Sequence, residues 1–209
     1  MLRILIADDH SVVRKGLKQI LLDEFPSAII DEVGDAEGLI KKTMTAKWDV
    51  IVSDLSMPGR SGLDALLQIK QSFPDLPVLI LSIHPEEQYA LRALKAGASG
   101  YLSKDTAPDE LVKAVKKVLL GKKYISQSIA EKLANAFSSN KDKNPHENLS
   151  DREFDVMKLL ANGKSVSEIA DILSLSVTTV STYRARVMVK MDMKSNSDLT
   201  KYAIENKLI

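Results

Sequence analysis

Residues 50–58 read Val-Ile-Val-Ser-Asp-Leu-Ser-Met-Pro, a short apolar run that stops at one carboxylate, Asp54, and then turns. A run of this length bounded by turn residues fits a strand buried on both faces, with its last residue delivered to the rim of a sheet. The same pattern opens the chain: Leu2–Ala7 is almost wholly apolar and leads directly into Asp8, Asp9 and His10. Between these runs, Val13, Leu17, Ile20, Leu21 and Phe25 share one helical face that Pro26 closes, Ile29–Val33 reads as a strand, and Glu37–Ala46 as a helix. Beyond Pro58 the alternation continues. A helix is predicted over Gly62–Phe73, a strand over Val78–Leu81, a helix from Pro85 to Ala96, a short strand at Tyr101 and Leu102, and a helix over Pro108–Leu120.

Strands that alternate with helices through short connections predict an α/β fold, a doubly wound five-stranded parallel sheet covered on both faces. Ligands of such sheets bind outside the carboxyl ends of the strands, which directs attention to the residues that end each run. Those residues are Asp8 and Asp9, Asp54, Ser82 and Lys104. Singly, each fits a turn, a helix cap or a solvated surface. Together, three carboxylates, a hydroxyl and an ammonium on one rim form a set for phosphoryl chemistry. The carboxylates suit Mg2+, which binds through one or two of them and leaves positions for phosphate oxygens and water. A carboxylate can attack phosphorus to give an aspartyl phosphate, while the lysine and the hydroxyl hold the other phosphoryl oxygens.

The chain has 209 residues, 44% hydrophobic and 27% charged, as in ordinary soluble domains, and its length admits two small domains. Without cysteine, it has no disulfides, thiolate zinc sites or cysteine nucleophiles. The formal net charge is +1, so a nucleic-acid partner has to be argued from local charge placement. No run of about 18 apolar residues and no leader pattern is present, so a cytoplasmic protein without membrane contact is expected.

The motifs ADDH, SDLSMPG, ILS and AGASGYLSKD resemble the receiver domain of bacterial two-component response regulators, over about Leu2 to Gly121. The resemblance implies a flavodoxin-like fold and a phosphoacceptor role for Asp54. It also implies Mg2+ held by Asp8, Asp9, Asp54 and the Ser56 carbonyl, phosphoryl contacts from Ser82 and Lys104, and Tyr101 as an aromatic switch that turns inward when Ser82 moves toward the phosphate. One departure is Asp105, where the family often has proline after the site lysine. Ser56 and His84 stand where the family tunes loss of its phosphate. His10 is expected to shape the loop beside the acidic pair, because no second histidine lies at metal-ligand spacing.

Gly121-Lys-Lys-Tyr124 closes the sheet domain, residues 1–124. A linker, residues 125–147, is expected to hold one short helix over Ser126–Phe137 and then a flexible tether through SSNKDKNPHEN, residues 138–148. Residues 148–209 read as a small all-α domain. Capping boxes at Ser150–Glu153 and Ser165–Glu168 open two helices, Ser176 caps a third over Val177–Met191, and Ser197 is expected to cap a fourth. Two helices joined by a tight turn, then a longer one, match a helix-turn-helix unit whose second helix of the motif enters the major groove. Projection of that helix at about 100° per residue sets Val177, Val180, Val187, Met188 and Met191 toward a core. Thr178, Ser181, Thr182, Ala185, Arg186 and Val189 lie on the opposite side, with Lys190 at its edge. Hydroxyls and small side chains suit base edges, and Arg186 and Lys190 suit phosphates.

The stretch LSDREFDVMKLLANGKSVSEIADILSLSVTTVSTYRARVMVKM resembles the LuxR-type output domain of the NarL/FixJ regulators, covering about Asn148 to Leu208. That resemblance implies base contacts from Ser181, Thr182 and Ala185, a backbone contact near Lys190, and pairing through the last helix, Asp198–Asn206. Arg184, where many members are apolar, falls on the apolar side and is expected to snorkel to a phosphate or pair with an acid. The whole is expected to be a regulator without enzymatic activity of its own: a histidine kinase or phosphotransfer protein phosphorylates Asp54, and a homodimer then binds promoter DNA. A phosphorylation-independent DNA-binding protein with the receiver as dimerisation module is the alternative. A phosphatase with an Asp54 nucleophile is disfavoured, because Ser56 stands where haloacid dehalogenase-type enzymes need a second carboxylate.

Overall fold

The computed structural model describes residues 1–126, 129–131 and 144–209. The chain divides into two compact units between residues 139 and 140. Most of the expected linker helix, from 132 to 137, and the tether from 138 to 143 lie outside the described residues.

The first unit alternates strand and helix throughout: β1 Arg3–Ala7, α1 Ser11–Glu24, β2 Ile29–Val33, α2 Ala36–Thr45, β3 Val50–Asp54, α3 Gly62–Ser72, β4 Val78–Ser82, α4 Glu86–Lys95, β5 Gly100–Ser103 and α5 Ala107–Leu119. The five strands are all parallel in the order β2-β1-β3-β4-β5. Strands β3 and β4 are buried at every position, which is why they read as unbroken apolar runs rather than alternating ones. Ile4, Ile6, Val50, Val52, Leu79 and Leu81 meet Leu17 and Leu21 of α1 and Leu111, Val115 and Val118 of α5 in one core. Edge strand β2 is more open, and Lys18 and Lys42 pair with its Glu32 and Asp31 at 3.0 and 2.9 Å. Winding reverses between β1 and β3, so the loops after these strands open a crevice at the carboxyl rim.

Gly62 sets the loop after β3. Its N–H donates to the Leu55 carbonyl at 2.9 Å, and a Cβ built on it would lie 1.9 Å from the Asp54 carbonyl oxygen. Only a residue without a side chain can start α3 so close to the end of β3. Ser61 then caps α3 by accepting the Asp64 N–H.

Pro145–Asn148, read from sequence as tether, forms a 3-10 turn. His146 Nδ1 lies 2.7 Å from the Tyr202 hydroxyl, and its ring packs beside Phe154 and Tyr202. These contacts secure a polar segment that lacks apolar periodicity. Helices α6 Asp151–Ala161, α7 Val166–Leu173, α8 Val177–Met191 and α9 Asn196–Glu205 follow. Phe154, Met157, Leu160, Ile169, Val180, Val187, Met191, Leu199 and Ala203 form the interior. Helix α7 ends on Ser174 in the left-handed region, φ 53°, and Ser176 accepts the Thr179 N–H to start α8, so three residues make the turn.

The cap of α9 differs from expectation. Ser195, not Ser197, accepts the Asp198 N–H at 3.2 Å, and Asp198 returns the bond to the Ser195 N–H at 2.9 Å. Ser195→Ala is therefore expected to cost about 1 kcal/mol in urea unfolding of the second unit, the usual value of an N-cap, while Ser197→Ala changes little. An equal loss from both would refute this assignment.

Candidate functional site

At the carboxyl rim the strand ends converge. Asp54 closes β3 and Ser82 closes β4, Asp8 and Asp9 follow β1, and Lys104 follows β5. Asp8, Asp54 and Ser82 are nearly inaccessible, at 1%, 4% and 0% exposure, so this is a buried acidic site rather than a set of surface charges. Lys104 Nζ lies 2.9 Å from Asp54 Oδ2 and 2.7 Å from Asp8 Oδ2, while the Lys104 N–H donates to the Ser82 carbonyl. The Ser56 N–H donates to Asp54 Oδ1 at 3.2 Å. Asp8 Oδ1 accepts the His10 N–H at 2.8 Å, and the Arg14 guanidinium donates to the Asp8 carbonyl.

Burial pushes the Asp54 carboxyl above the usual aspartate range, and the neighbouring Asp8 charge adds to the rise, although Lys104 and the Ser56 N–H pull the other way. Burial works equally against the Lys104 ammonium, yet its bonds to Asp54 and Asp8 outweigh that and hold it above the ordinary lysine value. The site is thus short of positive charge with one lysine in it.

The donors fit a divalent cation. One atom each from Asp8, Asp9, His10 and Asp54 can be chosen with all four within 4.8 Å of one another. Asp8 Oδ2 and Asp9 Oδ1 are buried and receive no well-directed hydrogen bond, though each has a basic nitrogen 2.7 Å away. Oxygen donors in this number suit Mg2+. His10 is exposed, and its Nδ1 faces Asp9 at 2.7 Å and Asp8 at 3.5 Å, beside the pair whose loop it was expected to shape.

Sequence reasoning missed a bridge over this site. Ser56 Oγ and His84 Nε2 are 2.8 Å apart, joining the loops after β3 and β4. The His84 N–H donates to Ser82 Oγ at 3.0 Å, its carbonyl accepts the Tyr101 hydroxyl at 3.0 Å, and its ring stacks on Tyr89 at 4.7 Å. Tyr101 is turned inward, 2% exposed. Both bridging positions were singled out from the family resemblance. Their contact, across 28 residues of chain, left no local signal.

In the second unit, Thr178, Ser181, Thr182, Ala185 and Arg186 are all exposed on α8, one side of a helix whose Val180, Val187 and Met191 are buried. Val177 departs from its projected place in the core and is 51% exposed. It occupies the first position of α8, and angular projection takes no account of where along its length a helix enters the bundle. Arg184 pairs with no acid among the described residues; its Nε donates to Asn196 Oδ1 at 3.1 Å, tying α8 to α9. Lys190 turns toward α6, where its Nζ lies 2.6 Å from Glu153 Oε2. Among the described residues, no helix is long and apolar enough to cross a membrane.

A parallel five-stranded sheet with this acidic rim, followed by a separate helix-turn-helix unit, is the layout of a response regulator. Residues 4–116 match the response regulator receiver domain, and residues 147–203 match the bacterial regulatory proteins of the luxR family. Response regulator UvrY of Escherichia coli K12 is 36% identical over 209 residues, covering all of this chain and 96% of that one. Oxygen regulatory protein NreC of Staphylococcus carnosus is 37% identical over 215 residues, covering all of this chain and 99% of its own. Among solved structures, RcsB of Salmonella enterica serovar Typhimurium bound to promoter rprA with the phosphomimetic BeF3- is similar. Its TM-score is 0.62 at 27% identity, over 97% of this chain and 98% of that one. The chain belongs to the two-component response regulators with a LuxR-type DNA-binding domain.

Proposed function

We propose that Asp54 accepts a phosphoryl group from a histidine kinase or phosphotransfer protein, and that the phosphorylated protein binds promoter DNA as a homodimer. The observation that carries this reading is the buried cluster of Asp8, Asp54 and Lys104, whose Lys104 ammonium sits within 2.9 Å of both carboxylates. An Asp54 oxygen attacks phosphorus, the bond to the donor breaks, and the donor leaves with the electron pair. Lys104 donates to one oxygen of the transferred group and Ser82 to another. Asp8, Asp9, Asp54 and the Ser56 carbonyl would hold Mg2+, which supplies charge neutralisation for the phosphoryl oxygens.

The Ser82 hydroxyl accepts the His84 N–H and the Tyr101 hydroxyl donates to the His84 carbonyl, so a turn of Ser82 toward a phosphoryl oxygen is felt through His84 at Tyr101. Phosphorylation thereby biases the face that carries Tyr101, as a shift between two pre-existing populations. In the second unit, Thr178, Ser181, Thr182 and Ala185 face bases, while Arg186 approaches the backbone. Pairing is assigned to α9, whose exposed side carries a groove of Ser197, Thr200, Lys201, Ile204 and Glu205, with Ile204 61% exposed. The expected location is the cytoplasm.

The test measures binding to promoter fragments with and without an acyl phosphate donor and Mg2+, for the unsubstituted chain and Asp54→Ala. The donor is expected to tighten binding of the former alone. Equal binding under all four conditions would instead favour a phosphorylation-independent regulator.

A further inference from the structure

Lys190 lies in the last turn of α8, four residues after Arg186, where a basic side chain invites assignment as a phosphate contact. Its surroundings argue otherwise. The ammonium lies 2.6 Å from Oε2 of Glu153, a carboxylate that is itself 3% exposed. The same oxygen accepts the Ser150 N–H at 2.7 Å, so Glu153 closes the capping box of α6 and holds α8 at once. Burial alone would raise the Glu153 carboxyl, but Lys190 and the Ser150 N–H outweigh it and keep its pKa below the usual value, so this group stays ionised.

We propose that Lys190 is a positioning residue of the DNA-binding surface. Glu153 holds it to set the seating of α8 against α6, and Lys190 makes no contact with DNA phosphate. This rests on α8 being the DNA-reading helix. A buried carboxylate that loses the cation paired with it is strongly disfavoured, so Lys190 is retained by Glu153 when a phosphate approaches. Neither Arg184 nor Arg186 has an acid within ion-pair distance among the described residues, but Arg184 is tied to Asn196 while Arg186 is exposed, so Arg186 stays available to the backbone. Glu153 therefore removes one positive charge from the electrostatic footprint and uses it to orient the remainder.

Counterion release separates the two roles. Each phosphate neutralised by a lysine or arginine contributes about 0.9 to the slope of log affinity against log salt. The full chain and its variants are titrated with a duplex that the unsubstituted chain selects from a random-sequence pool, between about 50 and 200 mM salt. If Lys190 only positions α8, Lys190→Gln weakens binding by the same factor at every salt concentration, and Lys190→Arg restores it. Glu153→Gln keeps an acceptor for the Ser150 N–H but frees Lys190, so its slope steepens by about 0.9. The inference is overturned if the deficit of Lys190→Gln shrinks about 3.5-fold across that salt range, the change expected from one lost phosphate contact. An unchanged slope in Glu153→Gln overturns it as well, and that variant keeps the test decisive should Lys190→Gln fail to fold. If the unsubstituted chain selects no duplex, the DNA-binding reading falls and this inference with it.

Discussion

Asp54→Asn is expected to abolish phosphoryl incorporation from an acyl phosphate donor while raising the melting temperature of the first unit. The two effects have one cause. A nucleophilic carboxylate must be available at the rim, yet Asp54 is 4% exposed and sits beside Asp8, so its ionised form is held at a cost. The amide has no charge to desolvate and does not attack phosphorus, and Lys104 keeps Asp8 at 2.7 Å as a partner. The direction of the pKa shift fixes the pH dependence. Because the folded carboxyl is less acidic than the unfolded one, the penalty is absent below the unfolded value, about pH 4, and is complete above the raised folded value. The stability gap between Asp54→Asn and the unsubstituted chain should therefore open as pH rises from acid and be full at neutrality. Each kcal/mol of such relief would raise the midpoint by roughly 2–8 °C. If the acidic cluster holds Mg2+ as proposed, added Mg2+ should stabilise the unsubstituted chain more than the variant. A variant less stable than the parent at pH 7, or a gap that widens in acid, would contradict this account of Asp54.

Why the rim was legible in the sequence and the bridge was not follows from the range of the interactions involved. Strands β1, β3 and β4 are buried on both faces, so they appear as continuous apolar runs, and their terminal Asp8, Asp54 and Ser82 follow from register alone. The Ser56–His84 bridge and the Glu153–Lys190 pair join residues 28 and 37 positions apart. Nothing periodic announces either, and a capping box already accounted for Glu153. The cap of α9 was legible but misread. Ser195 has an acid three positions on, Asp198, whereas Ser197 has Thr200, so the capping pattern itself favoured Ser195. The turn at Pro145–Asn148 has no such local sign, because His146 and Tyr202 meet only once the bundle is assembled.

Gly62→Ala should be among the most damaging single-methyl additions in the first unit, and the glycines of this chain supply their own controls. The new Cβ would lie 1.9 Å from the Asp54 carbonyl oxygen and 3.2 Å from Leu55 Cα. Both atoms are backbone, so no side chain can swing aside. Either α3 retreats, breaking the Gly62 N–H bond to the Leu55 carbonyl, or the end of β3 moves and carries the Asp54 carboxylate away from Lys104. The first route costs stability and the second costs chemistry. A loss of about 3 kcal/mol or more is expected, in the range of overpacked interiors, together with at least a tenfold slower phosphorylation of whatever remains folded. Gly59 separates steric from conformational effects. Its φ is 70° with nothing within 4 Å of a built Cβ, so Gly59→Ala meets only the left-handed penalty of about 1 kcal/mol. Gly16, inside α1 with open space around it, should gain about 0.5–1 kcal/mol as alanine. Chemical unfolding of the three variants, with phosphorylation rates measured beside it, tests the order. If Gly62→Ala proved no worse than Gly59→Ala, the close approach of α3 to the Asp54 carbonyl could not be what fixes the loop after β3.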